Sequence, residues 1–237
     1  MKKFYVCFVL FFFLMAGNAK ASFFGDDGTL LQEFFNEITV NGESSIQVTT
    51  DMLSDDLDSY WSITSSEGFD VTLIFELAGF APYNRFGIFD ASNPNNIVRI
   101  FSRRTDVGAQ ATLSIKPGGK VWLNGSDTGV IFSGRSFGFY MDSTLKSDEG
   151  GGFWYSDTSL NDDGIDHMYA YQGKDQDTIN IPGYEPFLWK SNQYILAFED
   201  LEASVSDRDY TDLVVFVESI DPNPIVAPIP AILFLLE

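Results

Sequence analysis

The sequence predicts an all-β protein, an antiparallel β-sandwich or jelly roll preceded by one short helix. Three observations carry this. Short β-type runs recur between turn residues from Ser45 to Val217. No long amphipathic helix separates them. Glycine, proline, asparagine and aspartate cluster in the gaps, where tight turns need them. Many short strands without crossover helices settle as packed antiparallel sheets.

Taken in order, the chain opens on Lys2 and Lys3, then an apolar run from Phe4 to Met15 and small residues ending in Ala19-Lys20-Ala21. That is the plan of a secretory leader spanning 1–21, cleaved after Ala21, and the run is too short for a membrane span. Export follows as an expectation, to the extracellular space or the cell surface. The single cysteine, Cys7, lies inside the leader, so the mature chain must reach stability without disulfides. Lys2, Lys3 and Lys20 leave with it, which deepens the net charge from −20 to −23. So acidic a surface excludes nucleic acid and anionic membrane as partners, and divalent cations would relieve its self-repulsion.

A lead-in segment, 22–43, carries the helix. Leu30, Leu31, Phe34, Phe35 and Ile38 mark one apolar face, with Thr29 as the expected cap and Gln32 three residues on. The sandwich proper is expected over 44–220. Its candidate strands are Ser45–Thr49, Phe69–Leu77, Arg85–Phe89, Ile97–Phe101, Ala111–Ile115, Val121–Leu123, Ser136–Tyr140, His167–Tyr171, Tyr194–Phe198 and Leu213–Val217. Pro117-Gly118-Gly119, Asn124-Gly125 and Gly150-Gly151-Gly152 punctuate them. Gly87 and Gly138, each between aromatic or aliphatic neighbours, mark a bulge or a close backbone approach. The surrounding rings read as core packing across two sheets rather than as an exposed stacking platform.

The chemistry is concentrated in two acidic tracts. Glu199 and Asp200 follow the strand Tyr194–Phe198, while Asp207, Asp209 and Asp212 precede the strand Leu213–Val217. The connection is short enough for these strands to be hairpin neighbours, which gathers five carboxylates at one end of the sandwich. Like charges crowded against a core raise one another's pKa or demand a cation. Asn161, Asp163 and Asp166, in the turn Asn161-Asp162-Asp163-Gly164-Ile165-Asp166, are placed to complete an oxygen shell. Calcium, with six to eight oxygen ligands, is the ion this donor set suits. The spacing is not that of an EF-hand, which needs a glutamate at its twelfth position. Arg208 pairing with Glu199 or Asp200, and Asp212 capping backbone amides, are the competing uses of these side chains. His167, the only histidine, reads as a hydrogen-bonded structural residue, and one histidine without a mature cysteine builds no usual zinc site.

Three patterns together resemble a known bacterial family. They are Asn84-Arg85-Phe86-Gly87-Ile88-Phe89-Asp90, then Leu160 to Met168 with Ala170-Tyr171, and finally Leu196 to Leu201 with Asp207-Arg208-Asp209-Tyr210-Thr211-Asp212-Leu213-Val214-Val215. The family is the exported "domain of unknown function 4114", and the best match runs over 136–218. The resemblance implies an exported β-domain with cation binding and no established enzymatic activity. The stretch 221–237, Pro-rich and then apolar to Leu236 before Glu237, is similar to a shortened exosortase-type (PEP-CTERM-like) sorting tail. Together these point to a non-enzymatic, calcium-stabilised module of the bacterial cell surface or extracellular matrix. Its expected partners are extracellular polysaccharide or other surface proteins. A carbohydrate-binding module is the alternative, with Trp61, Trp122, Trp154 and Trp189 as stacking rings. A glycoside hydrolase using Glu199, Asp200 and Asp209 is a third reading.

Overall fold

The computed structural model describes residues 24–64, 72–79 (as backbone), 83–103 and 105–223. The expected leader, the first residues of the strand read from Phe69, and the tail beyond Asn223 lie outside the described residues. Helix α1 (Thr29–Ile38) and the single turn α2 (Asp55–Asp58) precede the sheets. The strands are β1 (Trp61–Ile63), β2 (Thr72–Gly79), β3 (Arg85–Asp90), β4 (Asn93–Phe101), β5 (Gln110–Ile115), β6 (Lys120–Leu123), β7 (Ser126–Ile131) and β8 (Phe137–Asp142). They continue as β9 (Phe153–Tyr155), β10 (Met168–Gln172), β11 (Thr178–Ile179), β12 (Phe187–Leu188), β13 (Gln193–Phe198), β14 (Leu213–Glu218) and β15 (Ile220–Pro222).

Two antiparallel sheets face each other. One runs β15-β1-β8-β3-β4, with β9 also paired to β8; the other runs β10-β13-β14-β2-β5-β6-β7. Between them lie Phe86, Ile88, Phe139 and Met141 from the first sheet and Leu113, Leu196, Phe198, Leu213 and Val215 from the second. The expected sandwich is therefore observed.

Three strands of the second sheet are buried on both faces. Tyr194, Leu196 and Phe198 of β13 point into the sandwich, while Ile195 and Ala197 join an outer cluster with Val214 and Phe216 of β14 and Tyr169 and Tyr171 of β10. Residues pointing alternately to either side of a strand permit this only if a further layer covers the outer face. That layer comes from the lead-in segment and the loop after it: Phe24, Leu31, Phe35 and Ile38, then Ile46 and Val48, joined by Ile179, Ile181 and Trp189. Phe35 stacks on Trp189 at 5.8 Å and meets Tyr171 edge-on at 5.0 Å.

The structure corrects several expectations. Ser45–Thr49 forms no strand. Ile46 and Val48 do point inward, but the backbone there is held by side chains, with Ser45 N donating to Asp177 Oδ2 (2.8 Å) and Val48 N to Gln32 Oε1 (3.1 Å). Thr29 is not the cap of α1. The chain enters through Asp27 and Gly28 at φ 59° and 76°, and Asp26 takes the Gly28 and Leu30 amides instead, each at 2.8 Å. Strands β1, β7, β9, β11 and β12 lie outside the expected set; β7 is an edge strand with the mostly polar start Ser126-Asp127-Thr128-Gly129. The sheet also extends past residue 220, since β15 pairs Pro222 with Trp61.

The two glycines behave as expected. A Cβ on Gly87 would lie 2.2 Å from the Val98 carbonyl oxygen, and one on Gly138 2.2 Å from Phe89 Cζ. The pairing of β3 with β4 shifts register between Phe86 and Gly87, which is the bulge. The rings around them are core: Phe86, Phe89, Phe137 and Phe139 are all buried.

Candidate metal centre

Strands β13 and β14 pair antiparallel with Phe198 opposite Leu213. Glu199 and Asp200 therefore leave β13 where Asp212 enters β14. The loop between them is pinned by Tyr210, which is buried, stacks on Tyr169 at 4.1 Å and donates its hydroxyl to the Asp166 carbonyl at 2.7 Å. Held by that ring, the loop turns Asp207 and Asp209 back toward Glu199.

The result is two overlapping trios. The ligand oxygens of Glu199, Asp200 and Asp212 lie within 4.8 Å of one another, and so do those of Glu199, Asp207 and Asp209. Two ligands of one calcium ion, each at about 2.4 Å, lie at most about 4.8 Å apart, so each trio is compact enough to close on one ion with small side-chain shifts. Glu199 belongs to both trios. It is 3% exposed, its Oε1 accepts the Leu201 amide (3.3 Å), and its Oε2 is buried without a hydrogen-bond partner.

The electrostatics fit the crowding. Burial above all pushes Glu199 up to about 7, against the Ser206 hydroxyl and the Leu201 amide, with Asp207 and Asp200 adding to it. Burial and then the charges of Asp200 and Glu199 push Asp212 up to about 8, although its Oδ2 accepts the Asp200 amide at 3.1 Å. Asp207 is raised by burial and by Asp209. One cation enters the cluster: Lys146 Nζ lies 2.5 Å from Asp200 Oδ2. Burial would lower Lys146, but its bond to Asp200 outweighs that and raises it above its ordinary value. One ammonium against five carboxylates leaves the cluster strongly anionic.

The other expected residues fall elsewhere. Asn161 is fully engaged in its own turn: Oδ1 accepts the Tyr155 amide (2.8 Å), and Nδ2 donates to the Tyr155 and Ile165 carbonyls. Asp163 is likewise committed. Its Oδ2 accepts from the Ala203 amide (3.0 Å) and lies 3.1 Å from His167 Nε2, and although burial acts to raise its pKa, these bonds hold it below the usual carboxylate value. Asp166 joins a different group, with Asp55 and Asp58. The shell drawn from the Asn161–Asp166 turn is therefore not assembled around Glu199. Nor does Arg208 pair with Glu199 or Asp200; its Nη2 donates to the Ala203 carbonyl at 3.2 Å. The amide-capping use of Asp212 is present, alongside its place in the trio. His167 is buried, stacked on Trp154 at 3.8 Å, with both ring nitrogens facing oxygen atoms.

Two residues escaped the sequence reading. Lys146 sits in the loop after β8, 54 positions from Asp200. Asn84, just before β3, donates Nδ2 to Asp200 Oδ2 (3.0 Å), and its Oδ1 is buried without a partner. That amide oxygen is a neutral donor of the kind calcium shells include. Its presence in the Asn84–Asp90 pattern was the available signal.

Residues 131–220 match the family model for Domain of unknown function (DUF4114). No curated protein and no solved structure matches the chain. The matched segment begins at the last residue of β7 and runs to the first residue of β15. It contains Lys146 and every acidic residue of both trios, while Asn84 comes from outside it. It contributes strands to both sheets, so the upstream half completes its core: β3 pairs with β8, and β2 with β14.

Proposed function

We propose that this chain is an exported, non-enzymatic β-sandwich module, stabilised by calcium and acting at a bacterial cell surface or in the extracellular matrix in adhesion or as a structural unit. The observation that carries the reading is the pair of carboxylate trios sharing Glu199, whose buried Oε2 has no partner. A buried, unpaired carboxylate oxygen costs several kcal/mol unless a proton or cation meets it. The donors are oxygens throughout, which favours a hard ion over zinc or copper. Export and the sorting tail rest on residues 1–21 and 221–237 as read from the sequence. Beside the centre lies an open cleft of about 540 Å³ whose lining includes Asp148, Glu149, Asp162, Asp163 and Glu202. An acidic cleft of this kind disfavours anionic partners unless calcium bridges them.

The carbohydrate-binding alternative loses most of its stacking faces. Trp61, Trp154 and Trp189 are buried, at 0%, 5% and 1% exposure, and sugar stacking needs an open ring.

Thermal unfolding of the purified protein with calcium and with excess chelator tests the reading. Calcium at 100 times its Kd adds about 2.7 kcal/mol, a rise in Tm of roughly 5–10 °C for a domain of this size. Asp209→Ala and Asp212→Ala are each expected to reduce that rise. Identical melting curves with and without calcium would leave the trios as proton-sharing carboxyls and remove the proposal.

A further inference from the structure

We propose that Asp55, Asp58 and Asp166 form a second calcium site, which fastens the turn before β1 to the DUF4114 segment. The three carboxylates offer ligand oxygens within 4.8 Å of one another. They come from places far apart in the chain: Asp55 and Asp58 open and close α2, and Asp166 lies at the foot of β10. Acidic side chains gather on loops without any ligand, so proximity alone decides nothing. Asp58 is the deciding residue. It is 0% exposed, and neither of its carboxylate oxygens has a hydrogen-bond partner.

The surroundings are those of a built site. One oxygen each of Asp55 and Asp166 is fixed by a neutral donor: the Thr158 hydroxyl bonds Asp55 Oδ1 at 2.6 Å, and the Met168 amide bonds Asp166 Oδ1 at 3.0 Å. The Asp58 carbonyl is held by Trp61 Nε1 at 2.8 Å, which keeps the residue in place beneath the others. Among the described residues no lysine or arginine forms an ion pair with any of the three. Asp55 and Asp166 line a cavity of about 390 Å³, with Ser54, Thr158 and the Gly164–Ile165 turn around them. It offers an entry path from solvent and further oxygens to complete a shell. Burial above all, and then the charges of Asp166 and Asp55, raise Asp58 well above its ordinary value, while the Ala170 amide and its own act in the opposite direction.

The site uses none of the five carboxylates of the first centre, so the two stand or fall separately. Calcium bound per chain is counted by equilibrium dialysis on the intact protein. Asp58→Asn and Asp55→Asn are each expected to bind one calcium fewer than wild type, while Asp209→Asn keeps this ion and loses calcium at the first centre. Hydrogen exchange supplies a second readout: calcium should slow the amides of residues 52–60 in wild type and in Asp209→Asn, but not in Asp58→Asn. In chelator at pH 8 Asp58→Asn should melt above wild type, since it removes a carboxylate whose ionisation the fold opposes. Asp55 is exposed, so its variant folds even if the Asp58 variant does not. Wild-type calcium counts in both Asp55→Asn and Asp58→Asn would overturn the proposal, leaving Asp58 a buried, protonated carboxyl. Loss of calcium in Asp209→Asn alone would retain the first centre without the second.

Discussion

Glu199 and Asp200 are adjacent, equally acidic and almost equally buried, yet the fold gives them different surroundings. Asp200 receives Lys146 and Asn84 on one oxygen, whereas Glu199 meets neutral donors, the Leu201 amide at 3.3 Å and the Ser206 hydroxyl, and no ammonium. Charge without a partner is what burial penalises, so the two positions should respond in opposite ways to removal of charge. In chelator at pH 8, Glu199→Gln is expected to raise Tm by a few degrees, because it removes a carboxylate whose ionisation the fold opposes. In saturating calcium the same variant should lower it, since the shared ligand of both trios is gone. Melting curves in the two buffers check the reversal of sign. A loss of stability in both would mean that Glu199 is held by packing alone.

At the level of elements, α1 does more than lead into the sandwich. Its buried face, Leu31, Phe35 and Ile38, covers strands whose outer residues would otherwise lie open. Phe35 sits at the centre of that cover, between Tyr171 and Trp189. Phe35→Ala is expected to cost about 3–5 kcal/mol, the range for a large buried ring replaced by a methyl group. It should also raise binding of a hydrophobic dye, which reports exposure of the sheet beneath; denaturant titration measures the first effect and dye fluorescence the second. The periodicity of Leu31, Phe35 and Ile38 made this element readable from the sequence. Its start was not, because the side chain that caps it, Asp26, acts across a turn that runs through two positive φ angles.

For the whole molecule, the pH dependence of stability follows from the sum of these shifts. Glu199, Asp212 and Asp166 have folded-state values raised to about 7, 8 and 7, and Asp58 and Asp207 are raised as well. Between their ordinary values near 4 and these raised values, the folded state keeps protons that the unfolded chain releases. Stability without metal therefore falls as pH rises from about 5 to about 8. Asp51, Asp142 and Asp163 are lowered, so their contribution is present above about pH 4 and lost as pH falls below it. Melting in chelator should thus peak near pH 5 and decline toward pH 8.5, and saturating calcium should remove the decline by replacing the protons. A decline unchanged by calcium would assign it to general self-repulsion of the −20 chain. The sequence by itself determined the β class, the strands β13 and β14 and the meeting of Glu199, Asp200 and Asp212, because apolar alternation and a short connection act over a few residues. It determined, too, that the aromatic residues beside Gly87 and Gly138 form core. Only the tertiary structure decided which distant groups come to the acids: Lys146 and Asn84 at Asp200, and Asp55 and Asp58 at Asp166. In the run Asp55-Asp56-Leu57-Asp58 nothing local distinguishes the aspartate that is wholly buried. Long-range packing sets that burial, and burial is what turns an ordinary carboxylate into one that needs a proton, a donor or a cation.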